Sequence, residues 1–330
     1  MTQKYCTFVC FPNNSGYLTV LMTLDIIFTV AGILLLYLGA ELLVRGSVAL
    51  SRKFRVTPLL IGLIVIGLGT SSPELVVSIE ATLIGRGEIA VGNIIGSNIS
   101  NLALILGLAA LFHPIHASRE LLGREVPVMI AVSILMTVLL WNGVLSRLDG
   151  IILLAGLVIY LLLTVRDNIT PAISEQDMAY RRFSTPFVVL ATLAGLAILI
   201  LGAHLMIKGA TGIARTFDIP EGVIGLTIVA VGTSLPELAT AVVAALRRQG
   251  ELILGALIGS NILNVLFVLG VTGTVRAVHL TDIMRDDLIL MSLLALLMIP
   301  VIRTGYKVSR LEGALLLVLY GGYLAYLFLR

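Results

Sequence analysis

Ten predominantly apolar runs follow one another along the 330-residue chain, at about 24–44, 56–84, 89–112, 126–145, 148–165, 186–214, 221–246, 252–275, 287–302 and 311–329. A helix of about 20 such residues crosses the hydrocarbon of a bilayer, and it satisfies every backbone amide within the chain, as lipid requires. Composition agrees: 58% of residues are hydrophobic, 12% are charged and the mean hydropathy is +1.07, whereas soluble domains carry about a quarter charged residues. The expected fold is an all-α polytopic membrane protein with ten transmembrane helices. The net charge of +3 is scattered, which leaves no basic face for nucleic acid and no acidic tail. Cys6 and Cys10 both precede the first long run and are too few and too local to staple a fold or hold a metal. The segment ahead of that run lacks the charged start and compact apolar core of a cleavable signal, so insertion is expected to rely on the first span. Residues 146–150 are expected to form the tight turn between the fourth and fifth spans.

The longest polar stretch, 166–184, carries Asp167, Asn168, Pro171, Glu175, Asp177, Arg181 and Arg182 and cannot lie in hydrocarbon. It divides the chain into two five-span halves, 1–165 and 185–330. Residues 39–107 align with 202–270 at a constant offset of 163, without a gap, and 28 of the 69 positions are identical. Many matches are not simple hydrophobes, as with Gly69-Thr70-Ser71 against Gly232-Thr233-Ser234 and Gly96-Ser97-Asn98 against Gly259-Ser260-Asn261. Shared apolarity does not produce such matches; duplication does. An odd number of spans per unit inverts the second copy relative to the first, an arrangement found in secondary transporters with sites at the midplane. Of the 22 Lys and Arg residues, 14 fall in loops after odd-numbered spans and 8 on the other side. The positive-inside rule then puts the 166–184 linker in the cytoplasm of a plasma-membrane protein and both termini outside.

The second span contains Gly67-Leu68-Gly69-Thr70-Ser71-Ser72-Pro73-Glu74, and the seventh contains Gly232-Thr233-Ser234-Leu235-Pro236-Glu237. Pro73 and Pro236 lack the N–H that would bond the carbonyl four residues back, which releases the carbonyls of Gly69 and Gly232. Thr70 and Glu74, like Thr233 and Glu237, stand four apart and share a helix face. Ser97 and Asn101 in the third span, and Ser260 and Asn264 in the eighth, repeat that spacing with neutral oxygen donors. Gly92, Gly96, Gly255 and Gly259 would let these helices approach the broken ones. Two carboxylates with amides, hydroxyls and carbonyls, and no His or Cys in the repeated set, suit Ca²⁺ or Na⁺ rather than zinc or copper.

Blander readings compete with ligation at several positions. Small and hydroxyl residues in membrane helices usually serve packing, and packing is the weightier reading for Ser72, Asn98, Asn261 and Gly96. The glutamates differ, because a charge at mid-bilayer costs about 2.5 to 3.5 kcal/mol even on insertion scales. Two of them at equivalent positions, each beside a helix breaker, point to a shared task. Glu41 and Glu80 face His204 and Val243 in the repeat and read as helix-end or loop-proximal partners. Glu88 and Glu251 match, but each follows a glycine at a helix start, where an acid caps the dipole. His113, His116 and His279 sit at span ends and read as interfacial.

The linked pair Gly-Thr-Ser-x-Pro-Glu and Gly-Ser-Asn-x-x-Asn, found twice, resembles the paired alpha repeats of the sodium/calcium exchangers within the cation/calcium exchanger superfamily. The resemblance covers the two repeat regions. It implies that Glu74 and Glu237 lie at the centre of four ion sites. Thr70, Ser71, Ser97 and Asn101 would come from one repeat, and Thr233, Ser234, Ser260 and Asn264 from the other. It further implies that the first and sixth spans slide across the remaining bundle. The chain departs from the pattern in one respect: many prokaryotic and potassium-dependent relatives carry Asp at one of the positions held here by Asn101 and Asn264. Two Asn imply exchange without potassium. The linker also leaves no room for the family's large cytoplasmic calcium-sensing domain.

The resulting expectation is an electrogenic antiporter that exchanges Na⁺ for Ca²⁺, with both ions as transported substrates in a lipid bilayer, no cofactor, no enzyme activity and no obligate protein partner. Two glutamates balance one Ca²⁺ or two Na⁺, and a third Na⁺ would need neutral ligands. The nearest alternative is a calcium/proton antiporter, because buried glutamates also bind protons. A passive channel and, remotely, an intramembrane protease complete the alternatives; the latter as a rule needs a coupled pair of aspartates, and no such pair stands in the inner spans.

Overall fold

The computed structural model describes residues 14–167, 184–219, 230–280 and 285–329. They form α1 (Asn14–Phe54), α2 (Pro58–Thr70), α3 (Ser72–Leu83), α4 (Gly87–Phe112), α5 (Leu121–Asn142) and α6 (Arg147–Asp167). The second part holds α7 (Thr185–Thr216), the one-turn α8 (Ala230–Thr233), α9 (Leu235–Leu246), α10 (Gly250–Val275), α11 (Arg285–Arg303) and α12 (Arg310–Leu329). Four two-residue strands join them: β1 (Ile115–His116), β2 (Val144–Leu145), β3 (Val278–His279) and β4 (Lys307–Val308). Among the described residues six helices are long and apolar enough to cross a membrane, namely α1, α4, α5, α6, α7 and α10. The pair α2 and α3, bent by 41°, makes a seventh broken span. The architecture is that of an all-helical, multi-pass membrane protein. Part of the expected 221–246 run lies outside the described residues.

Several expected boundaries move, among them the end of the first span and the turn between the fourth and fifth. Helix α1 runs ten residues beyond the apolar stretch, through Arg45, Arg52 and Lys53, to Phe54. Lys and Arg are good helix formers, and their long stems let a helix leave the apolar region without ending. In place of the 146–150 turn, the chain bends at Gly143 and passes through β2, with α6 already under way at Arg147. Gly143 ends α5 at φ 81°. The Ser146 N–H then donates to Asp149 Oδ2 (2.8 Å), while the Asp149 N–H donates to Ser146 Oγ (3.2 Å). This reciprocal cap starts the helix earlier than hydropathy suggests.

The duplication extends to the backbone, beyond the 69 aligned positions. Six of the seven described residues with positive φ pair at the same 163-residue offset: Arg55 (57°) with Asp218 (54°), Gly85 (80°) with Arg248 (58°), and Gly143 (81°) with Tyr306 (51°), while Gly305 (74°), beside Tyr306, has no such counterpart. Glycine adopts this region freely and Arg or Tyr does not, so the fold imposes the turn even where the second copy has lost the glycine. The cap recurs too: the Ser309 N–H donates to Glu312 Oε2 (2.7 Å) and the Glu312 N–H to Ser309 Oγ (3.3 Å). Strand β1 pairs antiparallel with β4 and β2 with β3, in the registers Ile115↔Val308, His116↔Lys307, Val144↔His279 and Leu145↔Val278. Shifting every number by the offset turns one pair into the other, so each half closes against the other by a two-fold exchange.

Helices α1 and α7 run antiparallel along a seam of glycines seven residues apart. A Cβ on Gly32 would lie 2.5 Å from Met206 N, on Gly39 2.5 Å from Leu199 N, on Gly195 2.6 Å from Leu43 N, and on Gly202 2.7 Å from Leu36 N. Only glycine allows backbones this close. The other side of α1 exposes Ile26, Ile27, Val30, Leu34 and Leu38, an apolar face suited to lipid. At the centre of the molecule α10 is buried almost throughout, from Leu252 to Gly270 with the exception of the half-buried Phe267. A Cβ on Gly255 would lie 2.5 Å from Leu59 O, and one on Gly259 2.5 Å from Leu63 O. These two glycines thus bring α10 against α2, as their spacing suggested. The counterpart partners expected for Gly92 and Gly96 fall in 220–229, outside the described residues.

Candidate functional site

Each broken helix turns at a serine. Ser71 (φ −78°, ψ 4°) separates α2 from α3, and Ser234 (φ −89°, ψ 6°) separates α8 from α9. Pro73 and Pro236 fall in the first turn of the following helix, where an N–H has no partner within that helix, and across the break they donate nothing to the carbonyls of Gly69 and Gly232. Glu74 and Glu237 come next and are buried, at 1% and 4% exposure. Thr70, Ser71, Thr233 and Ser234 are buried beside them in sequence. Both break glycines abut α7: a Cβ on Gly69 would lie 2.8 Å from the Leu196 side chain, and one on Gly232 2.5 Å from that of Ile207.

Helices α4 and α10 complete the constellation. Ser97 Oγ donates to Glu74 Oε1 (3.3 Å). Thr70 Oγ1 donates to Ile66 O (2.9 Å) and lies 3.5 Å from Ser260 Oγ, which ties a residue of the first half to one of the second. Beyond Ser97 and Ser260 both helices widen into π-helix, over Ser100–Ile105 and Asn264–Leu269, a distortion that frequently marks functional sites. Asn101 Nδ2 donates to Asn261 Oδ1 (2.9 Å), and Asn264 Nδ2 donates to Asn98 Oδ1 (3.1 Å). With their N–H groups committed, the carbonyl oxygens of Asn101 and Asn264 are buried without a protein donor.

Those two oxygens belong to a larger set. Ser71 Oγ, Glu74 Oε2, Glu237 Oε2, Asn101 Oδ1 and Asn264 Oδ1 are all buried and accept no hydrogen bond from the protein. Buried polar atoms in native proteins are almost always paired, and leaving one unpaired costs about 1–3 kcal/mol. Five oxygens from the two duplicated motifs thus share one need, for a positively charged or donating partner. Among the described residues, no group of three or more His, Cys, Asp and Glu is placed to hold a metal. The donor set is therefore two carboxylates supplemented by neutral oxygens, the hard-ligand chemistry of Ca²⁺ and Na⁺.

A family profile described as "Sodium/calcium exchanger protein" matches residues 24–166 and again 187–329. This chain belongs to the sodium/calcium exchanger family. The family is one of membrane transporters rather than catalysts, and this member is an integral membrane antiporter of the cation/calcium-exchange class. Its similarity to the "Putative antiporter CaxA" of Alkalimonas amylolytica is 36% identity over 93% of this chain and 99% of the relative. The "Sodium/calcium exchanger MaX1" of Methanosarcina acetivorans is 28% identical over 93% of this chain and 99% of its own. In three dimensions the sodium-calcium exchanger NCX_Mj, soaked with 10 mM Na⁺ and no Ca²⁺, superposes with a TM-score of 0.83 at 33% identity, over 92% of this chain and 99% of that one.

Residues outside the five-oxygen set also find their places. Glu41 lies at a helix surface, where its carboxylate accepts from Arg247 Nε (3.1 Å) and Arg247 Nη2 and meets Arg45 Nε at 2.5 Å. This links α1 to the end of α9. Glu88 and Glu251 are the second residues of α4 and α10, in keeping with a dipole-capping role. Asn98 and Asn261, which packing seemed to explain in the sequence, are the hydrogen-bond partners of Asn264 and Asn101. Their recurrence at the duplicated offset was the signal that could have found them.

Proposed function

We propose that this exchanger moves Na⁺ against Ca²⁺ electrogenically by alternating access. The supporting observation is the set of five buried, unpaired oxygens on Ser71, Glu74, Glu237, Asn101 and Asn264. Thr70, Ser97, Thr233, Ser234 and Ser260 add neutral oxygens, and the carbonyls of Gly69 and Gly232 at the breaks add further ones. Glu74 and Glu237 together carry two negative charges, which one Ca²⁺ or two Na⁺ neutralise, so the ions compete for one place. A third Na⁺ sits on neutral ligands. With Asn at both 101 and 264 there is no third carboxylate to hold potassium, and exchange proceeds without it.

In this reading ten spans form two inverted five-helix halves, 1–165 and 185–330, joined by a cytoplasmic linker over 166–184, with both termini outside and the plasma membrane as its location. The glycine seam couples α1 to α7, and α7 lies against both helix breaks. Sliding of that pair would open the site to one side and then the other. The name of MaX1 and the likeness to NCX_Mj favour sodium as the counter-ion.

The test is ⁴⁵Ca uptake by purified protein in liposomes under an imposed sodium gradient, with and without potassium, and separately under a pH gradient. Uptake driven by sodium in the absence of potassium is expected. Uptake driven by the pH gradient alone would make the protein a calcium/proton antiporter. Uptake indifferent to any counter-ion gradient would make it a channel.

A further inference from the structure

Four amides meet between α4 and α10, and their hydrogen bonds form chains of fixed polarity. Each chain starts at a backbone carbonyl, which can only accept. Asn261 Nδ2 donates to Asn98 O (3.4 Å), and Asn98 Nδ2 donates to Asn261 O (3.3 Å). The amide nitrogens also contact thioethers, Asn261 Nδ2 at 3.8 Å from Met129 Sδ and Asn98 Nδ2 at 3.7 Å from Met291 Sδ. With their nitrogens so occupied, these two side chains present Oδ1 to their neighbours. An oxygen there must be met by a donor, so Asn101 and Asn264 turn their NH₂ groups inward to Asn261 and Asn98 (2.9 and 3.1 Å). What remains of Asn101 and Asn264 is Oδ1, buried and without a donor.

We propose that Asn98 and Asn261 are positioning residues that select which end of the Asn264 and Asn101 amides faces the ion. An amide is nearly symmetric in shape but opposite in polarity at its two ends. Turned over, Asn101 would present a partly positive NH₂ to a cation and repel it. The backbone carbonyls of residues 98 and 261 thereby dictate, through one intermediate amide each, the sign of the potential at the ligands. This rests on the reading of Asn101 and Asn264 as ion ligands under the proposed function.

A carboxylate has no wrong end, and the test uses that property. The Ca²⁺ concentration for half-maximal sodium-driven exchange is measured at alkaline pH for the wild type, Asn261→Leu, Asn101→Asp and the double variant, each checked for monodispersity. Asn261→Leu removes the acceptor and frees the Asn101 amide to rotate, so the half-maximal concentration should rise about tenfold, the effect of one aligned hydrogen bond. In the Asn101→Asp background the added carboxylate needs no orienting and is repelled by Asn261 Oδ1. There Asn261→Leu should leave the half-maximal concentration unchanged or lower it. Asn98→Leu with Asn264→Asp poses the same question across the two-fold exchange, and serves if Asn261→Leu does not fold. An equal rise in both backgrounds means that the amides only pack, and overturns the inference. Asn101→Leu separates the two levels: no change there defeats the ligand role of Asn101, whereas a rise there without one in Asn261→Leu defeats positioning alone.

Discussion

Glu74 and Glu237 are the only charges in the donor set, and each sits one residue past a proline that cannot close the preceding turn. Two unit charges 4 Å apart at an effective dielectric of 20 attract by about 4 kcal/mol, so a site left with one carboxylate holds a divalent ion far less tightly. Glu74→Gln and Glu237→Gln keep the size and most of the hydrogen bonding, and each should reduce calcium exchange at least a hundredfold, about 2.7 kcal/mol. Monodispersity of the purified variants and ⁴⁵Ca uptake in liposomes measure the two halves of that statement. Near-normal exchange by either variant would remove its carboxylate from the centre of the site. These residues were legible from the sequence because a buried acid beside a helix breaker, present twice, is hard to explain otherwise. The amide polarity was not legible: it depends on which backbone carbonyl meets which side chain across two helices, and residue spacing carries no such information.

Elements were legible to different degrees for equally physical reasons. Apolar runs located the long helices, and Pro73 located the bend, because burial and a missing N–H act locally. The end of α1 was misplaced because Arg45, Arg52 and Lys53 read as a loop while being compatible with helix. The strands β1 to β4 left no trace, since two residues are too few to show alternation. The turn at Arg248 lacks the glycine that marks its counterpart Gly85, and the turn at Tyr306 carries its glycine one residue early, at Gly305, relative to Gly143. Where glycine is present for closeness rather than for φ, substitution should be severe. In Gly39→Ala the new methyl would stand 2.5 Å from Leu199 N and 2.9 Å from Gly195 O, both backbone atoms that cannot rotate away. Forced separation of packed helices costs about 1–3 kcal/mol. Gly39→Ala and Gly195→Ala should therefore lower the melting temperature in detergent and slow exchange. Gly321→Ala, on the exposed side of α12, should do neither. Equal melting temperatures for all three would mean that the seam tolerates separation.

At the scale of the whole molecule, the antiparallel α1 and α7 place Arg52 and its duplicate Arg215 at opposite ends of the pair. Single cysteines at these positions, in a background lacking Cys6 and Cys10, should react with impermeant reagent from opposite sides of the membrane. Labelling of both from one side would contradict an inverted pair of halves.

A molecule built of two true copies in this relation would look the same from either face. In a symmetric bilayer its outward-open and inward-open forms would then be equal in energy and equally populated, whatever the strength of ion binding. A resting preference can come only from positions where the copies disagree. Glu41 corresponds to His204 and Arg247 to Ile84, so the carboxylate and guanidinium that clasp α1 to α9 cannot form on the opposite face. An exposed ion pair contributes about 0.2–1 kcal/mol, enough to weight one form over the other by up to about fivefold. Under the proposed alternating access, the matched residues decide what is carried and the mismatched ones on which side the carrier waits.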